Sequence, residues 1–188
     1  MDTRTDEEIV KMVQSGDSES FGVLIEKYEG KIKRYARKFI SSIEDIQDVV
    51  QEIFIKTYSN IQSFDLDKRF SPWVYRIAHN EIINTLRKRE KLPMLFFDPD
   101  TVFPHPISHE KTDSLAKDEE TKKSLDKCFE KLSPKYREPL VLYYLEEMDY
   151  KAISDVLQIP VPTVGIRLKR GKEILKSLCD NIDIDYEK

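Results

Sequence analysis

Apolar residues recur every three or four positions through residues 5–91, the spacing that predicts amphipathic helices. The run Thr5-Asp6-Glu7-Glu8 is a capping box that begins a first helix, which should end near Gly16. Three longer helices are expected: one capped by Ser18, one over about residues 43–61 with Tyr58 facing inward, and one that begins at Ser71-Pro72. Residues 1–91 are therefore predicted to form one helical domain.

The helical period stops over residues 92–114, where Pro93, Pro99, Pro104 and Pro106 lie among polar residues. This segment is predicted to be a flexible linker, although it also carries apolar residues such as Phe96, which either pack on a domain or occupy a partner's channel. Helices resume over about residues 115–132 and from Ser133-Pro134, with Pro139 marking a kink or a later first turn. The expected fold is all-α, with two small helical domains, 1–91 and 115–188, joined by the linker.

Residues 149–176 have the pattern of a helix-turn-helix. Asp149 can cap a short helix, the run Ile159-Pro160-Val161-Pro162 breaks it, and a basic helix should begin near Thr163. A short helix, a tight turn and a basic helix can place a recognition helix in the DNA major groove. The alternative is a solvated basic face that complements the helix dipole.

The distribution of charge along the chain favours binding to nucleic acid. The chain has a net charge of −4, yet residues 67–91 hold seven basic residues against three acidic ones, and residues 163–179 hold five against one. Two positive segments on an acidic chain indicate two contacts with one polyanion.

The predicted fourth helix has a face suited to single-stranded nucleic acid. Rings stack on unpaired bases, cations hold phosphates, and Asn80 can form a bidentate hydrogen bond to a base edge. The alternative is that Phe70 and part of Trp73 belong to the core. The candidate residues are Phe64, Lys68, Arg69, Phe70, Trp73, Arg76, Asn80, Asn84, Arg87 and Lys88.

The predicted third helix carries a candidate protein-binding face formed by Asp48, Gln51, Glu52 and Ile55. Their spacing of three, one and three residues puts them on one side of the helix. An apolar residue ringed by acids and an amide can dock a basic helix, whereas the alternative is a solvated acidic face with one stray isoleucine.

Other classes of function find little support in the sequence. The three histidines show no metal-ligand spacing with cysteines or acids, and there is no glycine-rich phosphate loop, so we expect neither a cofactor, a metal site nor an enzyme. No signal peptide or membrane span is predicted, and a cytoplasmic protein is expected. Cys128 and Cys179 are expected to be two buried thiols rather than a disulfide.

Together these segments resemble the bacterial RNA polymerase sigma factors of the extracytoplasmic-function type. The run from Asp48 to Phe54 resembles the polymerase-binding motif, residues 70–80 the promoter-melting and −10 segment, and residues 132–138 the start of the second conserved domain. The resemblance implies binding to core polymerase, at the clamp coiled coil of the largest subunit and at the flap, and to promoter DNA. It also implies control by an anti-sigma factor, and −35 reading by Thr163, Ile166, Arg167, Lys169 and Arg170.

The recognition segment departs from the family pattern. Proline, glycine and isoleucine stand at positions 162, 165 and 166, where glycine, a basic residue and serine are common. Base reading then falls to Ile166 and Lys169. The competing interpretation is an ordinary helix-turn-helix regulator, which predicts tight binding to duplex DNA without polymerase.

Overall fold

The computed structural model describes residues 4–90, 125 and 127–183, and all regular structure in these residues is helical. The chain divides into two compact units, with the main boundary between Pro93 and Met94 and residues Asp155–Gln158 grouped with the first. We call residues 4–90 the amino-terminal unit and the described residues from 125 onward the carboxy-terminal unit. The all-α prediction is confirmed, whereas the predicted linker lies outside the described residues.

The amino-terminal unit is built from four helices. The predicted capping box is present: Thr5 Oγ1 accepts from Glu8 N, and Glu8 Oε2 accepts from Thr5 N. Gly16 ends the first helix with φ +104°, a conformation that favours glycine. The helices are α1 (Asp6–Gln14), α2 (Phe21–Ala36), α3 (Ile43–Asn60) and α4 (Phe70–Glu90).

Two local predictions in this unit were wrong. Ser18 does not cap α2, because residues Ser18–Ser20 form a 3₁₀ turn whose cap is Asp17, and Ser20 N donates to its Oδ1. Tyr58 is exposed rather than inward, and its ring packs on Phe21 with centroids 5.0 Å apart. The inward stripe of α3 otherwise holds, with Ile53 and Thr57 fully buried.

The carboxy-terminal unit contains helical residues 127–131 (α5), then α6 (Pro134–Tyr144), α7 (Tyr150–Leu157) and α8 (Val161–Asp183). Pro139 lies inside α6, so the helix begins at Pro134 and not at Pro139. Asp149 Oδ1 accepts from Ala152 N at 2.7 Å, which confirms the predicted cap of α7. α8 begins at Val161, two residues before the predicted start, since proline at 162 is tolerated in a first helical turn.

The two cysteines are paired. Cys128 in α5 and Cys179 in α8 form a disulfide, with Cα atoms 5.6 Å apart. The prediction of two separate thiols was wrong, because α5 and α8 lie side by side although their cysteines are 51 residues apart in sequence. Burial was predicted correctly for Cys128, whereas Cys179 is only half-buried.

Gly171 marks the closest approach of α8 to α6, and its replacement by alanine is expected to destabilise the protein. A Cβ atom there would lie 3.1 Å from Leu140 Cδ1 and 3.2 Å from the backbone oxygen of Tyr136. We expect Gly171→Ala to lower the free energy of unfolding by about 1–3 kcal/mol in urea denaturation. Gly30→Ala is the control: nothing lies within 4 Å of its Cβ, so helix propensity should raise stability by about 1 kcal/mol. Equal effects of the two substitutions would contradict the packing argument.

Candidate nucleic-acid and protein interfaces

The candidate protein-binding face lies on the outer side of α3. Asp48, Gln51, Glu52 and Ile55 are all exposed, and Ile55 is 51% exposed although it is apolar. The structure therefore brings the four predicted residues onto one solvent-facing surface.

A groove runs beside this face between α2 and α3, with a volume of about 570 Å³. Gln51 and Ile55 belong to its wall, and its floor includes the buried rings of Phe21 and Phe54. The exposed ring of Tyr58 also lines the groove, and sequence reasoning missed it because the helical stripe places position 58 next to buried Phe54. A groove with apolar walls and a charged rim can hold apolar side chains of a partner helix.

A salt bridge joins the protein-binding helix to α4. Lys56 Nζ lies 2.7 Å from Glu81 Oε1 and 3.7 Å from Glu52 Oε1. The hydrogen bond to Glu81 raises the pKa of Lys56, so the ammonium stays charged at neutral pH. Glu81 is buried and the Lys56 side chain is 41% exposed, so this contact adds modestly to the packing of α3 on α4. Lys56 carried no sequence signal, since its partner is 25 residues away in the chain.

The candidate nucleic-acid face of α4 is partly formed as predicted. Arg76, Asn80 and Lys88 are exposed, and Trp73, Asn84 and Arg87 are half-buried. Asn84 Nδ2 lies 3.5 Å from Glu81 Oε1. Lys68 and Arg69 are exposed in the loop before the helix, and Lys68 Nζ is 3.6 Å from Asp65 Oδ2. Cations and amides thus line one surface.

Phe64 and Phe70 do not face solvent, although both were predicted to belong to the exposed nucleic-acid face. They are 6% and 1% exposed, and their ring centroids are 5.8 Å apart in an edge-to-face contact. Trp73 packs against both, at 5.0 Å from Phe64 and 5.6 Å from Phe70. The alternative in which Phe70 and part of Trp73 belong to the core is therefore correct. Trp73 remains the aromatic residue of the set that reaches the surface.

Helix α1 holds the segment that leads into α4. Gln14 Nε2 donates to the backbone oxygens of Ile61 and Phe64, at 2.7 and 2.9 Å. Glu7 Oε1 accepts from Phe70 N at 2.8 Å, so a carboxylate satisfies an amide at the positive end of α4. Sequence reasoning missed both residues, because they are polar side chains on the core side of a helix and their partners are backbone atoms.

The recognition helix α8 presents its predicted residues to solvent. Ile166 is 54% exposed, Lys169 and Arg170 are exposed, and Thr163 and Arg167 are half-buried. Arg167 Nε is buried and has no hydrogen-bond partner among the described residues. The opposite side of α8 buries Val164, Leu168 and Gly171 against the unit's core. This basic face follows a helix, α7, and a turn of three residues, as in a helix-turn-helix.

The described residues show neither a membrane-spanning helix nor a metal-binding cluster. Residues 4–90 and 127–183 contain no helix both long and apolar enough to cross a membrane. In the same part of the chain, no cluster of three histidine, cysteine or acidic side chains is arranged to hold a metal ion.

The chain matches two family models in the order that the sequence predicts. Residues 24–92 match Sigma-70 region 2, and residues 122–175 match Sigma-70 region 4. Among curated proteins, the chain is 32% identical to the ECF RNA polymerase sigma factor SigW of Bacillus subtilis, covering 89% of this chain and 92% of that protein. It is 30% identical to the ECF RNA polymerase sigma-E factor of Escherichia coli, covering 91% and 92%.

Solved structures show the same fold. CnrH, determined in complex with the cytosolic domain of CnrY, has a TM-score of 0.70 at 24% identity, covering 94% of this chain and 97% of that one. The sigma factor RpoE of Bartonella quintana, in complex with the anti-sigma factor NepR, has a TM-score of 0.66 at 20% identity, covering 85% and 96%. The two family models and the identity to full-length relatives show that this chain belongs to the extracytoplasmic-function sigma factors of bacterial RNA polymerase, which are transcription initiation factors.

Proposed function

We propose that this chain binds core RNA polymerase through the outer face of α3. The observation that carries the proposal is the exposed set Asp48, Gln51, Glu52 and Ile55 beside a groove with apolar walls. Acids around an exposed isoleucine complement a basic partner helix that inserts apolar side chains into the groove. By resemblance to the family, the partner is the clamp coiled coil of the largest subunit.

The two units then read two promoter elements. Residues 1–91 act as region 2, in which Trp73 offers a half-buried ring to the opened −10 strand. The cations and amides are offered by Arg76, Asn80, Asn84, Arg87 and Lys88. Residues 115–188 act as region 4, with α8 in the major groove of the −35 element, and residues 92–114 join the two. The Lys56–Glu81 salt bridge links the helix of the polymerase face to the helix of the −10 face.

Regulation by an anti-sigma factor is part of the proposal and rests on family resemblance. A partner that covers the α3 groove would block access of polymerase to Gln51 and Ile55. The chain would act in the cytoplasm, where polymerase and promoter DNA are found.

The first experiment is a binding assay between the purified full chain and bacterial core polymerase. We expect stoichiometric binding by the wild-type chain and an affinity roughly 10- to 100-fold lower for Gln51→Ala/Glu52→Ala, because each truncation removes about 0.7–1.4 kcal/mol of an interface contact. Loss of the exposed Glu52–Lys56 pair costs little stability, so the variant should fold.

The matched control is Glu19→Ala/Gln62→Ala, which removes the same two side-chain types from exposed positions outside α3. This control should bind core polymerase as the wild type does. Absence of wild-type binding to core, together with tight duplex binding by the chain alone, would refute the proposal and support the regulator instead. Equal weakening by both double variants would place the polymerase contact elsewhere.

A further inference from the structure

Three tyrosines form an exposed row in the carboxy-terminal unit. Tyr143 and Tyr144 end α6, and Tyr150 begins α7. The rings of Tyr143 and Tyr144 are 4.8 Å apart, and those of Tyr143 and Tyr150 are 5.6 Å apart, both close to edge-to-face. All three residues are exposed. Three adjoining exposed rings indicate a contact surface.

Both ends of the row touch the recognition helix. Tyr150 Cε2 lies 3.5 Å from the position that a Cβ atom would occupy on Gly165. At the other end, Lys172 Nζ lies 6.0 Å from the ring centroid of Tyr144. Residues 165 and 172 are two helical turns apart and share one side of α8, on which Lys169 also lies. The tyrosine row therefore runs alongside the recognition helix.

Charge and position decide which partner the row fits. Lys169, Arg170 and Lys172 are exposed next to it on α8, and they favour a polyanion. The loop between α6 and α7 contains three acidic residues, Glu146, Glu147 and Asp149. The Asp149 carboxylate accepts a hydrogen bond from Ala152 N. The first helix of a helix-turn-helix crosses the DNA backbone, and Tyr150 stands at the start of that helix. These observations favour DNA over a protein partner.

We propose that Tyr143, Tyr144 and Tyr150 form a second strip of the −35 DNA interface, and that Tyr150 takes the place of a side chain at position 165. This inference rests on the proposed reading of the −35 element by α8. The phenol hydroxyls donate to phosphate oxygens of the strand beside the recognition helix, and the ring of Tyr150 covers the bare backbone at Gly165. Glycine at 165 has no side chain that could displace this ring, and a Cβ atom there would make only an ordinary contact with it.

Two substitutions at position 165 should have different effects. Alanine at 165 makes an ordinary contact with Tyr150 and leaves the ring in place. A long side chain, as in Gly165→Arg, must displace the ring. Gly165→Arg and Tyr150→Ala should therefore change the preference for the same bases of the −35 element. The double variant should lose less binding free energy than the sum of the losses in the two single variants.

The test uses the full chain with core polymerase and a promoter that the wild-type holoenzyme selects from a library randomised in the −35 element. Removing all three hydroxyls (Tyr143→Phe/Tyr144→Phe/Tyr150→Phe) should weaken promoter binding roughly tenfold or more, because each hydroxyl bonds a charged phosphate. The salt dependence should not change, since a neutral hydroxyl releases no counterion. Lys169→Ala, in contrast, should reduce the slope of log K against log salt by about one.

Gly165→Ala is the mild control, and binding to core polymerase should be the same for every variant. Wild-type promoter affinity and −35 preference in the triple variant and in Gly165→Arg would overturn the proposal. Weakened core binding by the triple variant would also overturn it, because the row would then contact protein. If the wild-type chain itself does not bind core, the proposed function fails, and the same variants are compared in duplex binding by the chain alone, where equal affinities overturn the inference.

Discussion

Replacement of Arg137 by methionine is expected to lower the free energy of unfolding of the carboxy-terminal unit by about 2–5 kcal/mol. Arg137 is 1% exposed. Its Nε and Nη2 donate to the oxygen of Leu132 at 3.1 and 2.7 Å, and Nη2 also donates to the oxygen of Glu130. Methionine keeps the apolar stem but leaves these two carbonyls at the end of α5 without that donor. An unsatisfied buried acceptor costs about 1–3 kcal/mol.

Arg137 keeps its charge in this site. Burial lowers the pKa of its guanidinium to about 10, which is still well above neutral pH, so the three hydrogen bonds are charge-assisted. The guanidinium thus ends α5 in the way that a basic side chain near a helix C-terminus satisfies carbonyls. Loss of these bonds should loosen α5 and the start of α6, which pack under the recognition helix.

The measurement is urea denaturation followed by circular dichroism and tryptophan fluorescence. The chain has one tryptophan, and Trp73 lies in the amino-terminal unit, so fluorescence reports that unit while circular dichroism reports both. Arg137→Met should shift the unfolding transition of the carboxy-terminal unit, which circular dichroism detects. The fluorescence transition of the amino-terminal unit should not change. Arg170→Met is the control, because the same substitution at an exposed position should change stability by about 0.5 kcal/mol or less. Equal shifts for both variants would show that the buried bonds contribute nothing.

Helices and caps were predictable because their causes are local. The capping box at Thr5, the cap at Asp149 and the start of α6 at Pro134 depend on residues within one turn. The apolar stripe of each helix likewise depends on a spacing that the sequence displays. The family motifs were recognisable for the same reason, since each is a short contiguous run.

The wrong predictions concern contacts between segments that are distant in the sequence. From the sequence, Phe64 and Phe70 are predicted to be exposed because they flank a basic loop. In the structure, hydrogen bonds of Gln14 and Glu7 hold this loop against α1, and both rings are buried. Hydrogen bonds between a side chain and a distant backbone atom produce no periodic pattern in the sequence. The four residues of the protein-binding face of α3 are exposed as predicted, whereas the groove next to them, with Tyr58 in its lining, depends on how α2 packs on α3.

The cysteine pair shows the same principle and leads to a second large effect. Cys128 and Cys179 lie in the first and last described helices of the carboxy-terminal unit, and they are the two cysteines of the chain. A Cα separation of 5.6 Å suits a disulfide without movement of the backbone. Because Cys128 is a fully buried residue, its thiol can also serve as a small apolar core residue when reduced. The unit should therefore fold in either state.

Reduction of this disulfide is expected to lower the free energy of unfolding of the carboxy-terminal unit by about 4 kcal/mol, the chain-entropy value for cysteines 51 residues apart. Urea denaturation of air-oxidised wild-type chain, with and without a reductant, measures the difference. The Trp73 transition should not respond, since the amino-terminal unit contains no cysteine. Cys179→Ser should match the reduced wild type under both conditions. Identical wild-type transitions with and without reductant would show that the bond does not form, whereas the expected shift means that oxidation stabilises the helix that carries both Cys179 and the −35 residues.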